Sequence, residues 1–242
     1  MKPPSPTFSP LYRQIRDLAM QALASGEWQP GQAIPSEQEL AVRFQVSQGT
    51  VRKAIDEMVA DKLLVRRQGK GTFVATHSDP HALFRFLRLT PDSGERRALE
   101  NIPLDCLHAR AGQEVARNLE LEPGSAVVIV RRVLRDQGVP IVADEIFLPE
   151  ELFNDLDFAM LQNWKSSLYS LFETRFGQRM IHAREKIRAV AADRPAAEAL
   201  GISEGTPVLL VERIAYSYAG RPVEWRRGLY LTSGHYYQNE LS

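Results

Sequence analysis

Apolar positions in the first third of the chain recur at helical spacing. Leu11, Ile15, Leu18, Ala19, Ala22 and Leu23 mark the buried face of a first helix ending at Gly26. Trp28 to Gly31 form a turn leading to Ile34-Pro35. Ser36 followed by Glu39 predicts a capping box, which opens a second short helix with Leu40, Ala41 and Phe44 inward. Gln45-Val46 is a turn, and Ser47 is placed as the N-cap of a third helix. There Val51, Ala54, Ile55, Met58 and Val59 fall at i, i+3, i+4, i+7 and i+8. The opposite face of that helix carries Gln48, Gly49, Arg52 and Lys53. Leu63 to Val65 and Thr72 to Val74 are short strands around Arg66-Arg67-Gln68-Gly69-Lys70-Gly71, whose glycines permit a tight reversal. The pattern predicts a helix-turn-helix followed by a basic wing.

Beyond residue 76 the pattern changes. Residues 77–82 contain Ser, Asp, Pro and two histidines, and read as a linker. His77 and His81 stand at i, i+4, but no third ligand is evident, so a solvated linker is expected there rather than a metal site. The segment that follows is rich in strands and carries a repeat. Leu119 to Val133 with Gly138 and Pro140 lines up with Leu200 to Ile214 with Gly220 and Pro222, at an offset of 81 residues that becomes 82 within the turn. Each copy reads as a short helix, a glycine turn, a strand, a second turn and a returning strand that starts at proline. Outer strands are expected at residues 84–89, 102–109 and 181–191, and a middle helix at 165–176. The fold class is α+β: a winged helix-turn-helix over 1–76 and a mostly antiparallel sheet with helices over 83–242.

Composition narrows the partners. The 242 residues are 44% hydrophobic and 25% charged, as expected for a globular chain with real cores. Net charge is zero, yet it divides unevenly. Residues 1–76 hold ten Lys/Arg against seven Asp/Glu, and the remainder holds twenty against twenty-three. Four basic residues and no acid lie between Lys62 and Lys70, a local footprint suited to phosphate contacts. The single cysteine, Cys106, excludes an intramolecular disulfide. No apolar run reaches membrane-span length, and Met1 to Pro6 lacks a signal-peptide core. A cytoplasmic protein is expected, with no membrane partner.

The first third resembles the GntR family of bacterial transcription regulators. The residues that carry the match are Pro35-Ser36-Glu37 with Glu39-Leu40, Val46-Ser47 with Thr50-Val51-Arg52 and Ala54, and Gly69-Lys70-Gly71-Thr72-Phe73-Val74. Residues 84–241 resemble the UTRA effector domain, whose fold is similar to chorismate lyase. That pairing points to the HutC branch. The motifs are Arg132 with Gly138 and Pro140, Glu145 with Leu148-Pro149, Ser167-Leu168-Tyr169, and Gly220, Pro222 and Glu224 with Tyr230.

The resemblance implies a homodimeric transcription repressor that reads a palindromic double-stranded DNA operator under control of a small-molecule effector. Ser36, Gln38, Ser47, Gln48, Gly49, Thr50, Arg52, Arg66, Gly69, Lys70 and Gly71 are the expected DNA-binding residues. Arg85, Arg132, Glu145, Ser167, Tyr169, Arg213, Glu224 and Tyr230 are the expected effector-binding residues. Phosphosugar-binding relatives carry a second arginine where this chain has Leu134, which favours a carboxylate or amino-acid-like metabolite. Gln38 and Gln48 stand where the family often has arginine, and glutamine suits adenine where arginine suits guanine. No metal or cofactor is expected. The alternative is a lyase-like enzyme domain fused to a DNA-binding head, but the sequence offers no nucleophile with a nearby base.

Overall fold

The computed structural model describes residues 9–77, 87–95, 97–218 and 220–239. The chain divides into two compact units, Met1–Thr76 and His77–Ser242.

The first unit contains helices α1 (Leu11–Ala24), α2 (Glu37–Phe44) and α3 (Gln48–Ala60), and then strands β1 (Leu64–Arg67) and β2 (Gly71–Val74). Both expected caps form. The Ser36 hydroxyl accepts from the Glu39 N–H, while the Glu39 carboxylate accepts from the Ser36 N–H, and Ser47 accepts from the Thr50 N–H. Gln45 takes a left-handed conformation and turns α2 into α3. Val51, Ala54, Ile55 and Met58 pack inward with Ile15, Ala19, Ala22, Leu23 and Leu40. Two residues of the expected inner face of α1 differ, since Leu11 and Leu18 are exposed at 56% and 42%. The stripe that α1 buries is narrower than its apolar sequence. Residues 31–34 run along the wing: Gly31 and Ile34 donate to the carbonyls of Val74 and Thr72, and Val74 donates to that of Gln32.

The second unit is built on a six-stranded antiparallel sheet. Its strands are β4 (Glu100–Arg110), β5 (Ala126–Asp136), β6 (Val139–Pro149), β7 (His182–Ala191), β8 (Pro207–Tyr216) and β9 (Pro222–Tyr230), arranged in the order β4-β5-β6-β9-β8-β7. Each repeat supplies a helix and a hairpin: α4 (Gln113–Leu119) with β5 and β6, and α7 (Arg194–Leu200) with β8 and β9. The two hairpins meet at β6 and β9, where Glu145 lies opposite Arg227, 82 residues further on. A pseudo-two-fold axis therefore passes through that pair. The expected strand at 84–89 differs. Its first residues lie outside the described ones, and Leu89 belongs to β3 (Leu89–Pro91), which pairs with β10 (His235–Tyr237) in a separate ribbon.

Because strand side chains alternate, neighbouring positions on these strands face opposite sides of the sheet. One face packs Val128, Val130, Ile146, Leu148 and Ala215 against α5 (Phe158–Asn163) and α6 (Leu168–Phe176), with Phe153, Leu156, Leu161 and Phe172 completing the core. The other face carries α4 and α7 over Phe147, Trp225 and Val208. His77, expected in a solvated linker, is instead buried at the start of this unit, because its N–H and ring both find buried acceptors there. His81 lies outside the described residues. Among the described residues no helix is long and apolar enough to cross a membrane.

Candidate functional site

The polar face of α3 and the wing form one exposed surface in the first unit. Gln38, Gln48, Gly49, Arg52, Arg66 and Lys70 are all exposed, and Gly69 and Gly71 hold positive φ of 69° and 105°, which shapes the wing turn. Ser36 and Ser47 are occupied as caps, so their hydroxyls already hold the N-termini of α2 and α3. Thr50 Oγ1 lies 2.9 Å from Ser47 Oγ. Acidic residues thread this basic surface. Glu37 accepts from Arg52 Nε at 2.8 Å and from Arg66 Nη2 at 3.1 Å, and Asp56 lies 2.7 Å from Arg66. These pairs are exposed, so a phosphate can displace the carboxylates at small cost.

In the second unit, a cavity of about 390 Å³ opens where the N-terminus of α6 faces the sheet. Ser167 caps α6 by accepting from the Ser170 N–H at 3.1 Å, and Trp164 Nε1 donates to Ser170 Oγ at 3.0 Å, which fixes the entry to the helix. First-turn N–H groups and the positive end of the helix dipole favour an anion at such a terminus. Three arginines from three strands line the same cavity: Arg132, Arg213 and Arg226. Each is buried and each is held by a carboxylate. Arg132 Nε donates to Asp144 Oδ2 at 2.9 Å, and its Nη1 donates to Asn101 Oδ1 at 3.1 Å. Arg226 donates to both Glu224 oxygens at 3.0 and 2.9 Å and to Asp144 Oδ2 at 3.1 Å. Arg213 Nε donates to Glu185 Oε1 at 2.6 Å. The acids stand behind the arginines and do not line the cavity. A ligand therefore meets guanidinium edges, whose planar N–H fork suits a carboxylate.

Burial alone would raise the Asp144 carboxyl, but Arg226 and Arg132 outweigh it and hold the group below its ordinary value. Burial also opposes the charge on Arg226, and Glu224 and Asp144 reverse that, leaving it raised. The Tyr169 phenol is pushed up to about 12, first by burial and then by Glu224, to which its hydroxyl donates at 2.9 Å. It acts as a neutral donor. Cys106 is half-buried, and burial followed by Asp157 and Asp105 pushes its thiol up to about 11, so it stays protonated at neutral pH and is a poor nucleophile.

Of the expected effector residues, Arg132, Ser167, Tyr169 and Arg213 line this cavity. Glu224 supports it from beneath through Tyr169 and Arg226. Tyr230 is buried in the neighbouring core, its ring 6.2 Å from that of Tyr237. Arg85 lies outside the described residues. Glu145 is a correction: it points to the opposite face of the sheet, where Arg131 Nε donates to it at 2.9 Å. Its neighbour Asp144 faces the cavity side instead, because one step along a strand reverses the face. Asp144 and Arg226 were missed by sequence reasoning. The repeat held the signal, since they occupy equivalent positions 82 residues apart with opposite charge.

Comparison with known proteins agrees with both units. Residues 11–74 match the bacterial regulatory proteins of the gntR family, and residues 96–235 match the UTRA domain. The probable fructoselysine utilization operon transcriptional repressor of Escherichia coli (strain K12) is 33% identical over 215 residues, covering 88% of this chain and 87% of the relative. The HTH-type transcriptional repressor NagR of Bacillus subtilis (strain 168) is 31% identical, over 91% of this chain and 90% of its own. Among solved structures, the ligand-binding domain of a regulator assigned to the GntR family from Bordetella bronchiseptica is 46% identical, covers 64% of this chain and 96% of its own, and gives a TM-score of 0.61. With one match spanning the winged helix and the other more than half of the chain, this protein belongs to the GntR family of bacterial regulatory proteins and is a DNA-binding regulator with an effector-binding UTRA domain.

Proposed function

We propose that this chain is a homodimeric, cytoplasmic transcriptional repressor of the HutC branch, released from a palindromic operator by an amino-acid-like carboxylate. The observation that carries the effector class is the set of three buried guanidiniums lining one cavity at a helix N-terminus. Arg132 and Arg226 each spend three of five N–H donors on the bonds found among the described residues, so donors remain for a ligand carboxylate. Leu134 lines the wall where a further arginine would favour a phosphate, and Glu100 offers an acid at the exposed rim for an ammonium. A carboxylate at one end and an amine at the other fit that arrangement. The two relatives named as transcriptional repressors support the sign of regulation.

Residues 1–76 act as the DNA-binding unit, 78–82 as the connection and 83–242, with His77 seated in its core, as the effector-binding and dimerisation unit. Gln48, Gly49, Thr50 and Arg52 face bases or adjacent phosphates, with Ser36, Gln38 and Ser47 beside them. Arg66 and Gly69-Lys70-Gly71 follow the backbone and minor groove. The test of the effector is a thermal-shift screen of the full chain against free amino acids, fructoselysine, simple carboxylates and phosphosugars. Amino-acid-type carboxylates are expected to raise Tm, as any ligand that binds only the native state must. Stabilisation by phosphosugars alone would overturn the carboxylate assignment.

A further inference from the structure

The second unit begins with His77, and that residue is built into its core. Ala75, two positions earlier, still belongs to the wing, where its N–H donates to the Leu63 carbonyl at 3.0 Å. His77 is only 2% exposed. Its backbone N–H lies 3.2 and 3.1 Å from the two carboxylate oxygens of Glu173, and its Nε2 lies 3.1 Å from the Met180 carbonyl. A carbonyl only accepts, so Nε2 carries the proton. Glu173 is itself buried, and Arg179 Nε stands 3.4 Å from it. The His77 ring packs against Tyr169, with centroids 5.5 Å apart and the planes tilted by 53°.

Tyr169 and Glu173 are four residues apart on α6, so they lie one above the other on a single face. Tyr169 is also a wall of the effector cavity, and its hydroxyl is bonded to Glu224. One helix face therefore holds both a wall of the cavity and the seat of the first residue after the winged-helix unit. We propose that His77 is a positioning residue, a latch through which occupancy of the cavity is passed to the DNA-binding unit. This rests on the regulator reading above and names the residues that carry its control.

A buried N–H either keeps its charged acceptor or must regain water, and intermediate positions are disfavoured. A ligand that moves Tyr169 shifts the α6 face on which His77 sits, and a small displacement becomes a choice between a held and a released chain. Because such coupling is reciprocal, releasing His77 must also change ligand affinity.

Hydrogen exchange on the intact chain, followed by mass spectrometry on peptides containing His77, tests the connection without needing the effector. Tyr169→Ala removes the ring packed on His77 and is expected to speed exchange there by roughly tenfold or more, as the bond to Glu173 opens more readily. Tyr169→Phe keeps the ring packed on His77 and loses the bond to Glu224, so exchange at His77 should rise less than in Tyr169→Ala. Glu173→Ala opens the latch directly and sets the upper limit. Tyr169→Leu keeps apolar bulk without the aromatic contact, and replaces Tyr169→Ala if the latter fails to fold. The same variants are then titrated with duplex DNA selected by the native chain from a random pool. Tyr169→Ala and Glu173→Ala should shift affinity in the same direction, and Tyr169→Phe by less than either. Native exchange in both Tyr169→Ala and Tyr169→Leu would overturn the proposal. So would faster exchange with unchanged DNA affinity, since His77 would then be a structural anchor alone. If the native chain selects no DNA, the regulator reading has failed, and the exchange measurement still decides whether cavity and latch are connected.

Discussion

Arg52 stands exposed on α3, paired with the half-buried carboxylate of Glu37. Arg52→Ala should therefore abolish discrimination between operator and scrambled DNA in gel shifts while changing stability by no more than about 0.5 kcal/mol. Lys70→Ala on the wing should weaken binding to both DNAs alike and flatten the salt dependence. In the effector unit the charges are buried and the expectation differs. The Asp144 carboxyl has a folded value below its ordinary 3.8. It thus contributes stability that is present above that ordinary value and is lost as pH falls through the folded one. Asp144→Asn leaves two buried guanidiniums short of a counter-charge, and urea unfolding at pH 7 should show a loss of about 3 kcal/mol or more. At acid pH the native chain should approach the variant. Which residues share the cavity is partly legible in the sequence: Arg132 and Arg213 are charged groups on apolar strands, and Ser167 and Tyr169 stand at the first turn of the middle helix. Glu145, expected from its strand and motif, lies on the other face with Arg131, because adjacent acids on a strand differ in face and the sequence alone does not say which face points to the cavity.

Elements were easier to read than their partners. The caps of α2 and α3 came from local chemistry, Ser36 with Glu39 and Ser47 with Thr50, and Ser36→Ala should cost about 1 kcal/mol in thermal unfolding of the winged-helix unit. The helix-and-hairpin repeat was visible because its glycines and prolines recur. The β3–β10 ribbon was not, since three-residue strands joined across most of the second unit leave no periodic signal. Gly228 is a sharper case. It lies on β9 opposite Asp144, and a Cβ there would come 2.5 Å from Tyr230 Cε2 and 2.7 Å from Asp144 Oδ1. Its φ is not left-handed, so the requirement is one of space. Gly228→Ala should destabilise the second unit by about 1–3 kcal/mol and weaken effector binding, as read by urea unfolding and ligand titration. The close approach lets the carboxylate sit deep between strands, within reach of Arg132 and Arg226.

For the whole molecule, the proposed homodimer predicts that light scattering on the eluted chain gives twice the chain mass. DNA selected from a random pool should then show two inverted half-sites. A monomer that selects a single half-site would remove the dimer from the proposal. The symmetry inside the second unit has a separate consequence. Around the axis through Glu145 and Arg227, the first hairpin contributes Asp144 and Glu145 where the second contributes Arg226 and Arg227. Two identical half-chains could not form this junction, because they would bring acid against acid or base against base at its centre. The duplicated hairpins are complementary only as unlike partners, so neither half can replace the other, and separated halves should recombine as heterodimers and not as pairs of the same kind.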